Sequence, residues 1–174
     1  AKLDAARLKA RLGTMSPEVA ERLLHLNKLL NDGIALKRQI IENLRPSSLD
    51  NLGLVAALDI LAREFAERSE IEVKTALSSV ALDDVGQITV YRFVQEALTN
   101  IGKYAKATAV QVSMSSLPAS AGNVCVQVQD NGVGFRPAEV RRSAHGLVGM
   151  RYRVQAAGGT MSVESQPGRG TRLQ

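Results

Sequence analysis

Apolar residues recur along the first quarter of the chain with a helical period. Val19, Leu23, Leu26, Leu30, Ile34, Ile41 and Leu44 are spaced by three, four or their multiples. This predicts one long helix with a narrow apolar seam, running to about Leu44. Residues 1–12 read as the end of an earlier helix, and Gly13-Thr14-Met15-Ser16-Pro17-Glu18 as a break and restart. Ser16 is placed to cap, Pro17 to take the first helical position and Glu18 to sit in the first turn. Lys37 interrupts the seam, and Gly33 weakens the helix by about 1 kcal/mol relative to Ala. A hairpin with so short a first arm cannot bury the seam, whereas a symmetric dimer forming a four-helix bundle would. Arg45-Pro46 ends the helix, because the residue before proline avoids helical angles.

The rest of the chain alternates between two periods. Residues 52–68 read as a helix and 71–76 as a strand. Residues 83–105 read as a long helix opened by Asp83 and Asp84, which favour its positive end. Residues 109–115 alternate, with Val110, Val112 and Met114 on one side. After a turn at 118–123, a strand over 124–130 places Val124, Val126 and Val128 on one face and Cys125, Gln127 and Gln129 on the other. Residues 136–144 have no clear period and read as a loop. Residues 147–157 form a helix ended by Gly158-Gly159, and the last strands lie at 160–164 and from 171 onward. Mixed strands and helices with few strand–helix–strand crossovers predict an α+β sandwich, one mixed sheet under a layer of helices.

Composition narrows the class. The 174 residues suit one moderate domain plus a helical appendage. Only 3% are aromatic, so the core is aliphatic. A single cysteine, Cys125, rules out an internal disulfide and fits a reduced compartment. No apolar run approaches the roughly 20 residues of a membrane span, so no direct membrane contact is expected. Residues 1–135 carry 15 Lys and Arg against 15 Asp and Glu. The net charge of +5 therefore comes from the last 39 residues, where seven arginines face Glu139 and Glu164. Such a region suits a polyanionic small ligand. Nucleic acid is not expected, since no basic helix or aromatic stacking set accompanies the arginines.

Two places carry candidate chemistry. Asp130 has the parity of the strand valines, so its carboxylate points to the buried side, where an unpartnered charge is costly. Gly132 and Gly134 follow at once. One reading is a pocket that presents an acceptor to a polar ligand edge; the other is an Asn-Gly hairpin with Asp130 capping its own turn. On the helix before it, Arg92, Glu96, Asn100 and Lys103 line one face and Val90, Val94, Leu98 and Ile101 the other. That polar face is either a solvated surface with a Glu-to-Asn hydrogen bond or the wall of the same pocket.

The blocks Gln95–Ala105, Asp130-Asn131-Gly132-Val133-Gly134-Phe135, His145-Gly146-Leu147-Val148-Gly149-Met150-Arg151 and Gly168-Arg169-Gly170-Thr171 occur in this order. Together they resemble the asparagine box and glycine boxes of the GHKL (Bergerat) ATP-binding fold. The run from Leu44 to Leu54 is similar to the linker of sensor histidine kinases of the nitrate/nitrite-sensor branch. The resemblance implies that residues 1–47 are part of a dimerisation hairpin and residues 48–174 the ATP-binding catalytic domain. It implies ATP and Mg²⁺ as cofactors. Asn100 would give its amide oxygen to Mg²⁺, Lys103 would reach a phosphate with help from Tyr104, and Glu96 would handle a proton near the γ-phosphate. Asp130 would accept from the adenine amino group, and Gly132 and Gly134 would let backbone pass close to base and sugar. Residues 135–144, with their arginines, would form a short mobile lid over the triphosphate, closed by Gly146, Leu147, Gly149 and Met150, where backbone N–H groups at the helix start meet phosphate oxygens. Leu147 and Met150 fit a core role equally well, and Thr171 would be a pocket wall residue.

The implied function is the ATP-binding part of a cytoplasmic two-component histidine kinase. A homodimer would form through the bundle, and the γ-phosphoryl group would pass to a bundle His and on to the receiver domain of a response regulator. Neither His25, which no acid follows, nor His145, within a glycine box, fits the phospho-accepting motif, so the acceptor is expected before Ala1. Another GHKL ATPase or an anti-sigma-type serine kinase is the rival enzyme reading. A dimeric module with a degenerate nucleotide pocket is the non-catalytic one.

Overall fold

The computed structural model describes residues 17–44, 46–117, 123–137 and 145–174. The predicted first helix, the Ser16 cap, the 118–122 part of the predicted turn and the 138–144 part of the predicted lid lie outside them. The chain divides into two compact units, residues 1–47 and 48–174.

In the first unit, α1 runs from Pro17 to Leu44. Pro17 opens it, as the missing N–H of proline allows. Val19, Leu26 and Ile34 of the predicted seam are exposed, as are Leu24 and Leu29 to either side of it. Leu23 and Leu30 are half-buried.

The second unit is a five-stranded mixed sheet covered by helices, the α+β architecture that the two periods predict. Its elements are α2 (Ser47–Ser69), β1 (Glu72–Leu77), α3 (Asp84–Asn100), a π-helical turn (Ile101–Ala105), β2 (Ala109–Ser116), β3 (Val124–Asp130), α4 (His145–Ala156), β4 (Val163–Ser165) and β5 (Thr171–Leu173). Strand order is β1-β2-β3-β5-β4; β1 and β2 are parallel and the other pairs antiparallel. Helix α2 begins earlier than the pattern predicts, and Gly53, at φ 79° and ψ 172°, breaks it into two pieces. Asp83 caps α3, its side chain accepting the Gly86 N–H at 2.7 Å. The long predicted helix over 83–105 is therefore an α-helix whose last turn is π, ended by Lys106 in the left-handed region.

The core is aliphatic. Leu54, Leu58, Leu61 and Phe65 of α2 join Val94, Ala97 and Leu98 of α3, together with Val110, Val112 and Met114 of β2 and Val128 of β3. Leu58, Val94, Val112 and Val128 are essentially inaccessible, and burying each contributes roughly 1.5–3 kcal/mol. The strand alternation holds in β2 and at the end of β3: Val110, Val112 and Met114 are buried, and so are Val128 and Asp130, whereas Val124, Cys125, Val126 and Gln127 are all half-buried. Cross-strand register places Val110 opposite Asp130, Val128 opposite Leu173 and Asp130 opposite Thr171.

Asn131 ties the end of β3 to the start of β2. Its Oδ1 accepts from the backbone N–H groups of Thr108 at 2.9 Å and Ala109 at 3.0 Å, and its Nδ2 donates to Thr108 Oγ1 at 2.8 Å. These bonds are exposed, so each contributes at the low end of roughly 0.5–1.5 kcal/mol. Asn131→Ala is expected to lower unfolding stability by about 1–2 kcal/mol in urea titrations; an unchanged midpoint would show that the clasp contributes nothing.

Candidate functional site

The glycine loop after β3 is held from two sides. The Val133 N–H donates to the Ala105 carbonyl at 2.7 Å, and the Gly168 N–H donates to the Val133 carbonyl at 2.7 Å. A Cβ at Gly132 would overlap the Ala105 carbonyl oxygen, and one at Gly134 would overlap the Gln166 carbonyl oxygen. Gly134 also sits at φ +58°, a conformation that strains any residue with a Cβ. In the fold, then, these two glycines serve close approach of backbone to backbone. The Phe135 N–H donates to Ser165 Oγ at 2.9 Å, and that hydroxyl reaches the Gly170 carbonyl at 2.9 Å and Thr171 Oγ1 at 3.0 Å. Nothing in the sequence marks Ser165 for this role, because its partners lie up to 30 residues away.

Asp130 is 5% exposed, the one buried charged residue among those described. Its Oδ1 accepts the Gly132 N–H at 2.7 Å, and the Thr171 backbone supplies a second hydrogen bond. The carboxylate is therefore not unpartnered. The hairpin reading is half right: Asp130 does cap its own turn. However, β3 pairs with β2 and β5, and no strand follows directly on Asn131-Gly132. Two hydrogen bonds leave acceptor capacity on a carboxylate, which has about four lone-pair sites.

That capacity borders a cavity of about 590 Å³. Glu96, Asn100, Lys103 and Tyr104 line it from α3 and the π-turn, with Asp130 and Thr171 on adjacent strands. Gly134, Gly146 and Leu147 complete the polar and glycine-box part of its wall, and Ile101, Val128, Phe135 and Leu173 supply apolar surface. The arrangement suits a ligand with a flat apolar body and polar edges. Gly132 and Gly149 do not line the cavity, and Met150, 1% exposed, is a core residue. Lys103 and Tyr104 are exposed at its mouth, Tyr104 by 70%.

Among the described residues, no arginine of the last 39 residues lines the cavity. Arg172 points elsewhere, hydrogen-bonding Gln129 Oε1 at 3.3 Å and lying 3.6 Å from Glu164. Arg151 and Arg153 are exposed on α4. Among the described residues, the ionisable ones in the lining are Glu96, Asp130, Lys103 and Tyr104. A second cavity of about 610 Å³ lies beside the first half of α3, lined by Leu82, Val90, Phe93, Cys125 and Met161 among others. Among the described residues, no Asp, Glu, Lys, Arg or His side chain borders it.

Residues 85–174 match the family described as histidine kinase-, DNA gyrase B-, and HSP90-like ATPase. The chain belongs to that family. All four motif blocks lie inside the matched segment. Among relatives, the oxygen sensor histidine kinase NreB of Staphylococcus carnosus is 38% identical over 149 residues, 84% of this chain and 41% of that protein. The chain thus spans about two fifths of that relative's length. The histidine kinase domain of a blue-light activated histidine kinase from Erythrobacter litoralis shares the fold, with a TM-score of 0.63 at 20% identity over 97% of this chain and 77% of that one. The ATP binding domain of PrrB from Mycobacterium tuberculosis gives a TM-score of 0.51 at 29% identity, covering 68% of this chain and 88% of that one. The second unit is thus an ATPase domain of the histidine-kinase type. Among the described residues, no helix is long and apolar enough to cross a membrane.

Burial pushes the Asp130 carboxyl above its ordinary 3.8, and the hydrogen bonds from Gly132 and Thr171 hold it back only in part. The fold disfavours the charged form, so this group's contribution to stability is present below pH 3.8 and lost as the pH rises through the raised value. Thermal unfolding of the unliganded chain against Asp130→Asn isolates it, because other carboxylates are common to both. The difference in midpoint is expected to turn against the native residue as pH climbs from 3.8. A difference that turns in its favour would contradict the assignment.

Proposed function

We propose that the cavity is an Mg-ATP site and that the chain is the ATP-binding catalytic part of a two-component sensor histidine kinase. The observation that carries this reading is the convergence of Glu96, Asn100, Lys103, Asp130, Gly146 and Thr171 on one half-apolar cavity within a domain of this ATPase family. Asp130 accepts from the exocyclic amino group of adenine with the lone pairs its backbone donors leave free. Thr171 stands opposite it on β5 and completes that wall. Gly134, in the cavity wall, keeps the loop backbone close to base and sugar, while Gly132 seats that loop against Ala105. Lys103 and Tyr104 serve the phosphates at the mouth.

The residues fit a hard cation. Among those described, no group of three or more His, Cys, Asp and Glu is placed to hold a metal by itself. Mg²⁺ needs no such cage, since it keeps several waters and takes one or two protein oxygens plus phosphates. Asn100 Oδ1 is the protein oxygen, and Glu96 handles a proton beside the γ-phosphate. When bound, Mg²⁺ neutralises phosphate charge and orients the γ-phosphoryl group. The first turn of α4, with Gly146 and Leu147 at the cavity and Gly149 and Met150 behind them, offers backbone N–H groups to phosphate oxygens.

The exposed apolar residues of α1 support a homodimer built through a helical hairpin, residues 1–47 being its part here. Transfer to a bundle His and then to a response regulator receiver domain completes the cycle in the cytoplasm. No nucleic acid takes part. The names of the relatives favour this over another ATPase of the family or an anti-sigma-type serine kinase. The intact polar wall disfavours a degenerate module.

Calorimetric titration with a non-hydrolysable ATP analogue tests the site. Saturable binding is expected. Asp130→Ala and Asn100→Ala are each expected to weaken it by roughly 1–3 kcal/mol, the cost of leaving a bound polar group unpaired. Saturable binding that neither substitution alters would place the nucleotide elsewhere.

A further inference from the structure

Gly146, the second residue of α4, lies directly against the polar face of α3. A Cβ built there would come 2.7 Å from Oε1 of Glu96, and 3.5 and 3.6 Å from Nδ2 and Oδ1 of Asn100. Oε1 of Glu96 is also the atom that accepts a hydrogen bond from Asn100 Nδ2, at 3.4 Å. A carboxylate offers only acceptors, while a primary amide has one donor limb and one acceptor limb. The pair therefore forms with the amide in a single orientation, nitrogen toward Glu96 and oxygen on the other limb. At 3.4 Å the bond is near the limit of useful geometry. It is kept by confinement between one turn of α3 and Gly146 in the first turn of α4.

We propose that Glu96 is a positioning residue for Asn100, fixing the amide so that Oδ1 is the limb presented to a hard cation, and that residue 146 is glycine because a side chain there would push the carboxylate off the amide. This rests on the Mg-ATP reading of the cavity. It differs from a proton-handling role in its consequences. Glutamine at 96 keeps size and shape but can donate as well as accept, so it no longer dictates which limb of Asn100 turns inward. Alanine at 146 meets no backbone penalty, because Gly146 is not among the glycines at positive φ. What it displaces is the free end of Glu96.

The readout is the ratio of affinities for a non-hydrolysable ATP analogue with and without Mg²⁺, measured by calorimetry on the full chain. E96Q and G146A are each expected to reduce that ratio about tenfold or more, the scale seen when groups that orient metal ligands are altered. The double variant E96A/G146A is expected to lie within about twofold of E96A alone, because the second substitution has nothing left to displace. An E96Q ratio equal to that of the unsubstituted chain overturns the proposal. So does a G146A effect that persists in full on the E96A background. No saturable binding by the unsubstituted chain overturns the Mg-ATP reading itself, and this proposal with it.

Discussion

The site depends on one strip of backbone, residues 131–135, being wedged between two other pieces of main chain. On one side the π-turn gives the Ala105 carbonyl to Val133; on the other the β4–β5 hairpin gives the Gly168 N–H to the Val133 carbonyl. Neither approach is possible with a Cβ at Gly132 or Gly134. The hairpin closes on β3 in the same way, since a Cβ at Gly170 would overlap the Asp130 carbonyl oxygen. With the strip in place, the Asp130 carboxylate finds its backbone donors and the cavity acquires its polar end. The glycine pattern is thus first a packing requirement, and the binding surface is what that packing leaves open.

Charge changes the picture that composition gives. The arginine excess of the last 39 residues suits an anionic ligand, yet the arginines described beside the sheet turn to Gln129 and Glu164 or to solvent. Among the described residues, the cavity wall carries two carboxylates against one lysine. Net charge along a sequence says little about which faces carry it, because alternate strand residues point opposite ways. Arg172 lies between Thr171 and Leu173, both of which border the cavity, and for that reason faces away from it.

Much of the fold was legible because it follows from period. The two alternating strands, the apolar stripe of α3 and the glycine stop after α4 need only local information. The burial of Asp130 follows from parity, and the gathering of Glu96, Asn100 and Lys103 from helical spacing. What could not be read depends on distant partners. Asn131 sits inside the most recognisable motif of the chain, yet it faces Thr108 and Ala109 and serves the sheet. Ser165 has no motif at all. The π-turn over Ile101–Ala105 shares the residue pattern of a regular helix, because one wide turn leaves no trace in a period of three or four. Gly53 interrupts α2 without a proline or a polar cluster to announce it.

The central claim is that adenine docks at Asp130 and the cation at Asn100. A crystal structure of this chain with a non-hydrolysable ATP analogue and Mg²⁺ tests it most directly. The account predicts the exocyclic amino group within hydrogen-bonding distance of the Asp130 carboxylate and Mg²⁺ ligated by Asn100 Oδ1. A nucleotide bound in the neutral cavity beside Cys125, or with its phosphates toward Asp130, would contradict it.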